Sequence, residues 1–115
     1  MTTLKLSRSP CPVGRASRIL GDRWVLLILR EAFLGATRFE EFVPNTGINR
    51  AALTSRLTAL VEHGILERYP RNARRAEYRL TQAGRELAPL MSTIRNWGEK
   101  WLFDVTPAPE QTENR

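Results

Sequence analysis

Residues 37–64 have the sequence TRFEEFVPNTGINRAALTSRLTALVEHG, and this stretch decides the expected fold. Thr37 and Glu40 have the spacing of a capping box, in which the Thr side chain caps a helix and the Glu side chain reaches back to the cap. The helix is expected to be short, because Pro44 cannot continue it.

A second, longer helix is predicted after the turn at Gly47. Asn49 is a favoured N-cap residue, and Gly64 is a favoured residue just beyond a helix end. The apolar residues between them have the i, i+4, i+7, i+8 spacing of one helix face: Leu53, Leu57, Leu60 and Val61. A short helix and a longer one joined by a tight turn predict a helix-turn-helix over about residues 37–63.

The sequence on the carboxyl side of this motif predicts a hairpin and a final helix. The segments ILERYP and AEYRLT are rich in residues that suit strands, and RNAR between them suits a turn, which predicts a β-hairpin over about residues 65–80. Thr81 is a suitable cap for a helical region over about residues 82–104, which Pro89 either kinks or splits.

Two further helices are predicted on the amino side. Pro12 suits a first helical position with Cys11 as the cap, and Gly21 suits the end of this short helix. Asp22 is a suitable cap for the next helix, RWVLLILREAFL, which is apolar nearly all round and is expected to form the centre of the core.

The composition indicates one globular domain. A chain of 115 residues is long enough for one hydrophobic core and too short for two, and contents of 42% hydrophobic and 26% charged residues are those of a folded protein. We therefore expect a mainly α fold with a small β-hairpin over residues 11–104, between flexible tails at residues 1–10 and 105–115.

The charge indicates an anionic partner. A net charge of +6 favours nucleic acid, with an anionic membrane surface as the alternative. The longest apolar run, residues 24–29, is too short to cross a bilayer, and the amino terminus lacks the apolar core of a signal peptide. We therefore expect a cytoplasmic protein that does not bind membranes.

The sequence offers little for catalysis. One cysteine and one histidine do not readily form a metal cluster, and no metalloprotease motif or glycine-rich phosphate loop is present. We expect no enzymatic activity, no metal and no cofactor.

Four segments, in this order, resemble the HxlR-type winged helix-turn-helix transcriptional regulators of bacteria: CPVGRASRILGDRWVLLILREAF, RFEEF, GINRAALTSRLTALVEHGILER and AEYRLTQAGREL. The resemblance extends to the region of Trp97 and covers about four fifths of the chain. It implies a homodimer, assembled through amino- and carboxyl-terminal helices, that binds double-stranded operator DNA and represses or activates nearby genes. The hairpin would then be the wing.

The predicted second helix has a solvent face suited to a DNA groove. Its side chains opposite the apolar stripe are small or polar, as a helix within the major groove requires. The predicted DNA contacts of this helix are Asn49, Arg50, Ala51, Thr54, Ser55 and Thr58. Arg50 suits guanine, and the Ala51 methyl group suits thymine. An ordinary solvated helix face is the alternative, and Arg56 on the other flank is expected to pair with Glu62 or water.

The hairpin tip carries three arginines that are predicted to contact DNA: Arg71, Arg74 and Arg75. They either follow the phosphates or enter a narrow minor groove, where the negative potential favours arginine. In a hairpin, Arg74 and Arg75 are expected to point to opposite faces, so that only one of them is inserted. The alternative is a solvated turn whose charge opposes aggregation.

Cys11 has two interpretations. At a helix amino terminus, with Arg15 one turn on, its thiolate would be favoured, which is the setting of a reactive thiol that senses oxidants or electrophiles. A plain capping or packing role is the alternative.

The final helix carries an apolar stripe that is predicted to form the dimer interface: Leu87, Leu90, Met91, Ile94, Trp97 and Trp101. A cavity beside the two indoles that holds a small apolar effector is the alternative. At the level of function, the alternative to a DNA-binding regulator is a winged-helix module that binds a protein or an effector without specific DNA binding.

Overall fold

The computed structural model describes residues 10–103. The predicted tails lie outside the described residues, apart from Pro10. In chain order the elements are α1 (Pro12–Leu20), α2 (Arg23–Phe33), a 3-10 helix (Phe39–Phe42), α3 (Arg50–Glu62), β1 (Leu66–Tyr69), β2 (Glu77–Leu80), α4 (Gln82–Arg85) and α5 (Ala88–Trp101). The mainly α fold with one small hairpin is confirmed. No helix within residues 10–103 is long and apolar enough to cross a membrane.

Two of the helices, α2 and α3, are capped by the predicted side chains. Asp22 Oδ1 accepts hydrogen bonds from the backbone N–H groups of Trp24 and Val25, at 2.7 and 3.3 Å. Asn49 Oδ1 accepts from the backbone N–H of Ala52 at 2.8 Å, at the start of α3. These bonds satisfy donors that the first turn of a helix leaves without an intrahelical partner.

The capping box predicted for Thr37 and Glu40 is wrong by one residue. Arg38 is the N-cap, and Glu41 reaches back, since its Oε1 accepts from the backbone N–H of Thr37 at 2.9 Å and of Arg38 at 3.0 Å. These two hydrogen bonds to the charged carboxylate hold the pKa of Glu41 below its ordinary value. The element that follows is a single 3-10 turn rather than an α-helix.

The core lies between α2, α3 and the start of the hairpin. Its fully buried side chains include Ile28 and Leu29 of α2 and Phe42 of the 3-10 helix. The predicted stripe of α3 is confirmed, because Leu53, Leu57 and Leu60 are buried and Val61 is partly buried against them. The buried stripe fixes which face of α3 remains exposed.

The two strands pair antiparallel, with Leu66 opposite Leu80 and Tyr69 opposite Glu77. The hairpin is joined to the helix-turn-helix by a backbone hydrogen bond of 2.7 Å, from the N–H of Tyr78 to the carbonyl of Thr37. The segment before the 3-10 helix therefore lies alongside β2 and positions the wing.

The carboxyl-terminal helical region is split rather than kinked. Thr81 Oγ1 accepts from the N–H of Gly84 at 3.1 Å and caps α4, and Pro89 lies in the first turn of α5. Gly84 packs so closely that an added Cβ would clash with the carbonyl oxygen of Ile65, which explains a glycine inside a helix.

Candidate nucleic-acid interface

The solvent face of α3 is exposed along its length. Every predicted contact residue of this helix is exposed: Asn49, Arg50, Ala51, Thr54, Ser55 and Thr58. The side-chain oxygen of Asn49 caps α3. The N–H groups of its side-chain amide therefore remain as donors for a phosphate. The exposed side chains of Ala51, Thr54, Ser55 and Thr58 are short, so the backbone of α3 can approach a surface closely.

Arg50 is held at the amino end of α3 by an aromatic ring. Its guanidinium carbon lies 4.7 Å from the centre of the Phe39 ring, a cation–π contact between α3 and the 3-10 helix. Stacking occupies the face of the guanidinium group and leaves its N–H edges free for acceptors. The guanidinium group of Arg50 is therefore held in place at the start of the exposed face, with its N–H groups directed away from the ring.

A basic cleft of about 210 Å³ separates the amino end of α3 from the wing. It is lined by Arg38, Phe39, Glu40, Arg50, Arg68, Arg74, Arg75, Ala76 and Tyr78. Five of these nine residues are arginines, against one glutamate, so the cleft is strongly positive. Arginine binds phosphate oxygens with two parallel N–H groups, which suits such a cleft to a sugar–phosphate backbone.

The three wing arginines are exposed, but the structure separates them. Arg74 and Arg75 both line the cleft, whereas Arg71 does not. The expectation that Arg74 and Arg75 point to opposite faces does not apply, because β2 begins only at Glu77 and both residues lie in the preceding loop. Alternation of side chains is a property of extended strands.

Two arginines of the cleft were absent from the sequence prediction. Arg38 donates from Nη1 to the carbonyl of Arg75 at 3.2 Å, and its Nη2 lies 3.6 Å from Glu77 Oε2. Arg68 donates from Nη1 to the carbonyl of Arg71 at 2.9 Å. Both side chains thus hold the wing loop by its backbone. The arginine-rich sequence around the hairpin could have indicated Arg68, but no local pattern indicated Arg38.

Arg56 pairs with Asp22 rather than with the expected Glu62. Its Nη2 and Nε donate to Asp22 Oδ2 at 2.8 and 3.1 Å. Burial alone would raise the pKa of Asp22, but the hydrogen bonds from Arg56 and from the backbone of Trp24 and Val25 outweigh it, so this pKa lies below its ordinary value. The pair joins α3 to the start of α2.

The predicted dimer stripe divides into two parts. Leu87 and Met91 are partly buried against the core of their own chain. Leu90, Ile94, Trp97 and Trp101 are exposed at 37%, 41%, 58% and 63%. These four side chains form an apolar surface on α5 that residues 10–103 leave largely exposed. We therefore restrict the predicted interface to these last four residues.

Cys11 is exposed and occupies the N-cap position of α1, with extended backbone. The predicted position at the start of the helix is confirmed. His63 is the C-cap residue of α3.

Comparison with known proteins gives a consistent result. Residues 19–105 match the family described as HxlR-like helix-turn-helix. The HTH-type transcriptional regulator Rv3095 of Mycobacterium tuberculosis is 48% identical over 100 residues, which are 85% of this chain and 61% of that protein. This chain thus spans about three fifths of the length of that relative.

Two solved structures extend the comparison. PA1607 has a TM-score of 0.79 and 43% identity, over 94% of this chain and 74% of that chain. The redox regulator HypR in its oxidized form has a TM-score of 0.71 and 32% identity, over 83% of this chain and all of that chain.

Proposed function

Because the chain belongs to the HxlR-like helix-turn-helix family, we propose that it is a transcriptional regulator that binds operator DNA as a homodimer. The observation that carries this proposal is the exposed face of α3, small and polar, beside a cleft lined by five arginines. A helix with short side chains fits a major groove about 12 Å wide, and the arginines fit the phosphates at its edge.

Within this proposal the two surfaces have different tasks. Arg50 and Ala51 contact base edges, which select the sequence, and the hydroxyl side chains of α3 contact bases or phosphates. Arg74 and Arg75 contact the phosphates or the adjacent minor groove, which supplies affinity on any sequence. Arg71 lies outside the cleft, so it contributes through its charge or through a more distant phosphate.

The homodimer requires a symmetric operator. The exposed face of α5 is the surface that we assign to the partner subunit, because four large apolar side chains on one face are rarely left in water. A two-fold axis between subunits demands an inverted repeat, with half-sites about one helical turn apart, or a multiple of this.

Binding is expected to weaken steeply with salt. If the dimer neutralises about six phosphates, log K falls with log salt at a slope of about −5, because each phosphate contributes roughly −0.9. The measurement is a titration of the purified protein on an operator selected from genomic fragments, at several salt concentrations, with scrambled DNA of equal length as the control. Affinity that is independent of salt, or equal on both DNAs, would contradict the proposal.

We also propose that Cys11 makes DNA binding responsive to oxidants. HypR, a redox regulator, is 32% identical to this chain, and Cys11 is exposed at a helix amino terminus. The sequence contains one cysteine, so diamide can oxidise two Cys11 thiols to a disulfide between chains, or one Cys11 thiol and a small thiol to a mixed disulfide.

Diamide is expected to change operator affinity in the wild-type protein and not in Cys11→Ser. The affinity is measured before oxidation, after it, and after reduction with dithiothreitol, which should restore the first value. Non-reducing electrophoresis separates the disulfide between chains from the mixed disulfide. An equal response of the two proteins would rule out sensing through Cys11.

A further inference from the structure

A second cleft lies on the other flank of α3, away from the wing. Its volume is about 250 Å³, and it lies between the end of α1, the start of α2 and α3. It is lined by Arg18, Ile19, Asp22, Val25, Ser55, Arg56, Ala59, Leu60 and His63. On a helical wheel of about 100° per residue, Arg50 of the first cleft and Arg56 of the second flank the exposed face of α3 on opposite sides.

Two arginines make this second cleft positive. Arg56 is fixed by its two hydrogen bonds to Asp22 Oδ2, and the other oxygen of Asp22 is used to cap α2. Arg18 is exposed in the last turn of α1, and its side chain makes no hydrogen bond or ion pair with any residue in the range 10–103. The cleft therefore holds two cations against one carboxylate, and the Arg18 guanidinium is available to an anion.

The position of the cleft beside α3 favours DNA phosphate as this anion. A helix in the major groove has one phosphate backbone on each side, because the two strands form the two edges of the groove. The wing cleft accounts for one edge. Ser55 lies both on the exposed face of α3 and in the second cleft, so the surface that faces the bases continues directly into this cleft.

We propose that the cleft formed by Arg18, Ser55 and Arg56 binds the phosphate backbone of the second DNA strand. Arg18 provides the charge, and the Ser55 hydroxyl provides a hydrogen-bond donor. The pair of Arg56 with Asp22 keeps the rim of the cleft rigid. The proposal rests on the regulator function above, and it makes α1 part of the DNA-binding surface.

The test uses Arg18→Ala in the full chain, because α1 has no buried residue and the change leaves the core untouched. The matched control is Arg95→Ala, which removes the same charge from α5, where the side chain is 73% exposed. Both variants and the wild type are titrated against the selected operator at several salt concentrations. They are also titrated against operators that carry one neutral methylphosphonate at each position in turn.

In the wild type, we expect neutral linkages to weaken binding on both edges of each half-site. Arg18→Ala should show a salt slope that is less steep by about 0.9 for each phosphate that is no longer neutralised. It should also become insensitive to neutral linkages on the edge away from the wing, while it stays sensitive on the wing edge. Arg95→Ala should match the wild type in both measurements.

Two other results separate the proposals. If Arg18→Ala keeps the wild-type slope and linkage pattern, the second phosphate site is wrong and the regulator function stands. The second phosphate site is also wrong if Arg18→Ala binds every operator more weakly by the same factor, whichever linkage is neutral. That result is expected if a small anion, rather than DNA, occupies the cleft. If the wild type binds no DNA in a salt-dependent manner, the regulator function itself is wrong.

Discussion

Replacing Trp97 with Glu is expected to convert the proposed dimer into a folded monomer and to lower its affinity for an inverted-repeat operator by about 10²–10⁴-fold. Affinity is lost because only a dimer can bind both half-sites at once. When one subunit is bound, its partner is held near the second half-site at a high effective concentration, and a monomer has no such advantage. Affinity for an isolated half-site should change little.

The change acts on the centre of an unpartnered apolar face. Leu90, Ile94, Trp97 and Trp101 lie within about 60° on a helical wheel, so they form one narrow seam. A carboxylate at position 97 would have to lose its water in the interface, which is costly without a cation nearby. The subunit itself should stay folded, because Trp97 is 58% exposed and α5 contributes no buried residue.

Analytical ultracentrifugation and circular dichroism test this expectation together. Ser92→Glu is the matched control, because it adds the same charge to an exposed position on the side of α5 opposite the seam. The control should remain dimeric and bind the operator as the wild type does. A dimeric Trp97→Glu protein would show that the subunits meet through another surface.

Local patterns in the sequence were sufficient for most of the fold. The stripe of Leu53, Leu57 and Leu60 is a property of one helix, so its spacing alone predicts which face is buried. The caps at Asp22 and Asn49 act on N–H groups two or three residues away, so they too can be predicted from a short window.

The errors arose where distant residues decide the outcome. The helix predicted at Thr37 begins one residue later and is a 3-10 turn, and the carbonyl of Thr37 accepts from Tyr78, which is 41 positions along the chain. Arg56 and Asp22 are 34 positions apart, so no local spacing indicates their pairing. Arg38 is held beside the wing cleft by its hydrogen bond to the backbone carbonyl of Arg75, and this contact forms only when the hairpin is folded.

Replacing Arg50 with Ala is expected to relax sequence preference, whereas replacing Arg74 and Arg75 together should weaken binding to all DNA. A bidentate contact between arginine and guanine contributes about 1–3 kcal/mol of discrimination against another base. The wing residues contact phosphates in the proposed complex, and a phosphate contact carries no direct sequence information. The double variant should also show a salt slope that is less steep by about 0.9 for each phosphate that the wing no longer neutralises.

The ring of Phe39 makes a finer distinction possible. Arg50→Lys keeps the charge but loses the flat fork, so it should lose discrimination while its salt slope stays that of the wild type. Phe39→Leu keeps Arg50 but removes the aromatic face beneath its guanidinium group, 4.7 Å away. It should therefore lose part of the discrimination, because the fork is no longer held in one orientation.

Competition titrations on the operator and on operators with single base-pair changes measure this discrimination. The Arg50 variants should bind the operator and one altered site with nearly equal affinity, and that site should be the same for Ala and Lys. The double wing variant should preserve the wild-type ranking of all sites at lower affinity. Identical profiles for the Arg50 and wing variants would contradict the assignment of base contacts to α3 and phosphate contacts to the wing.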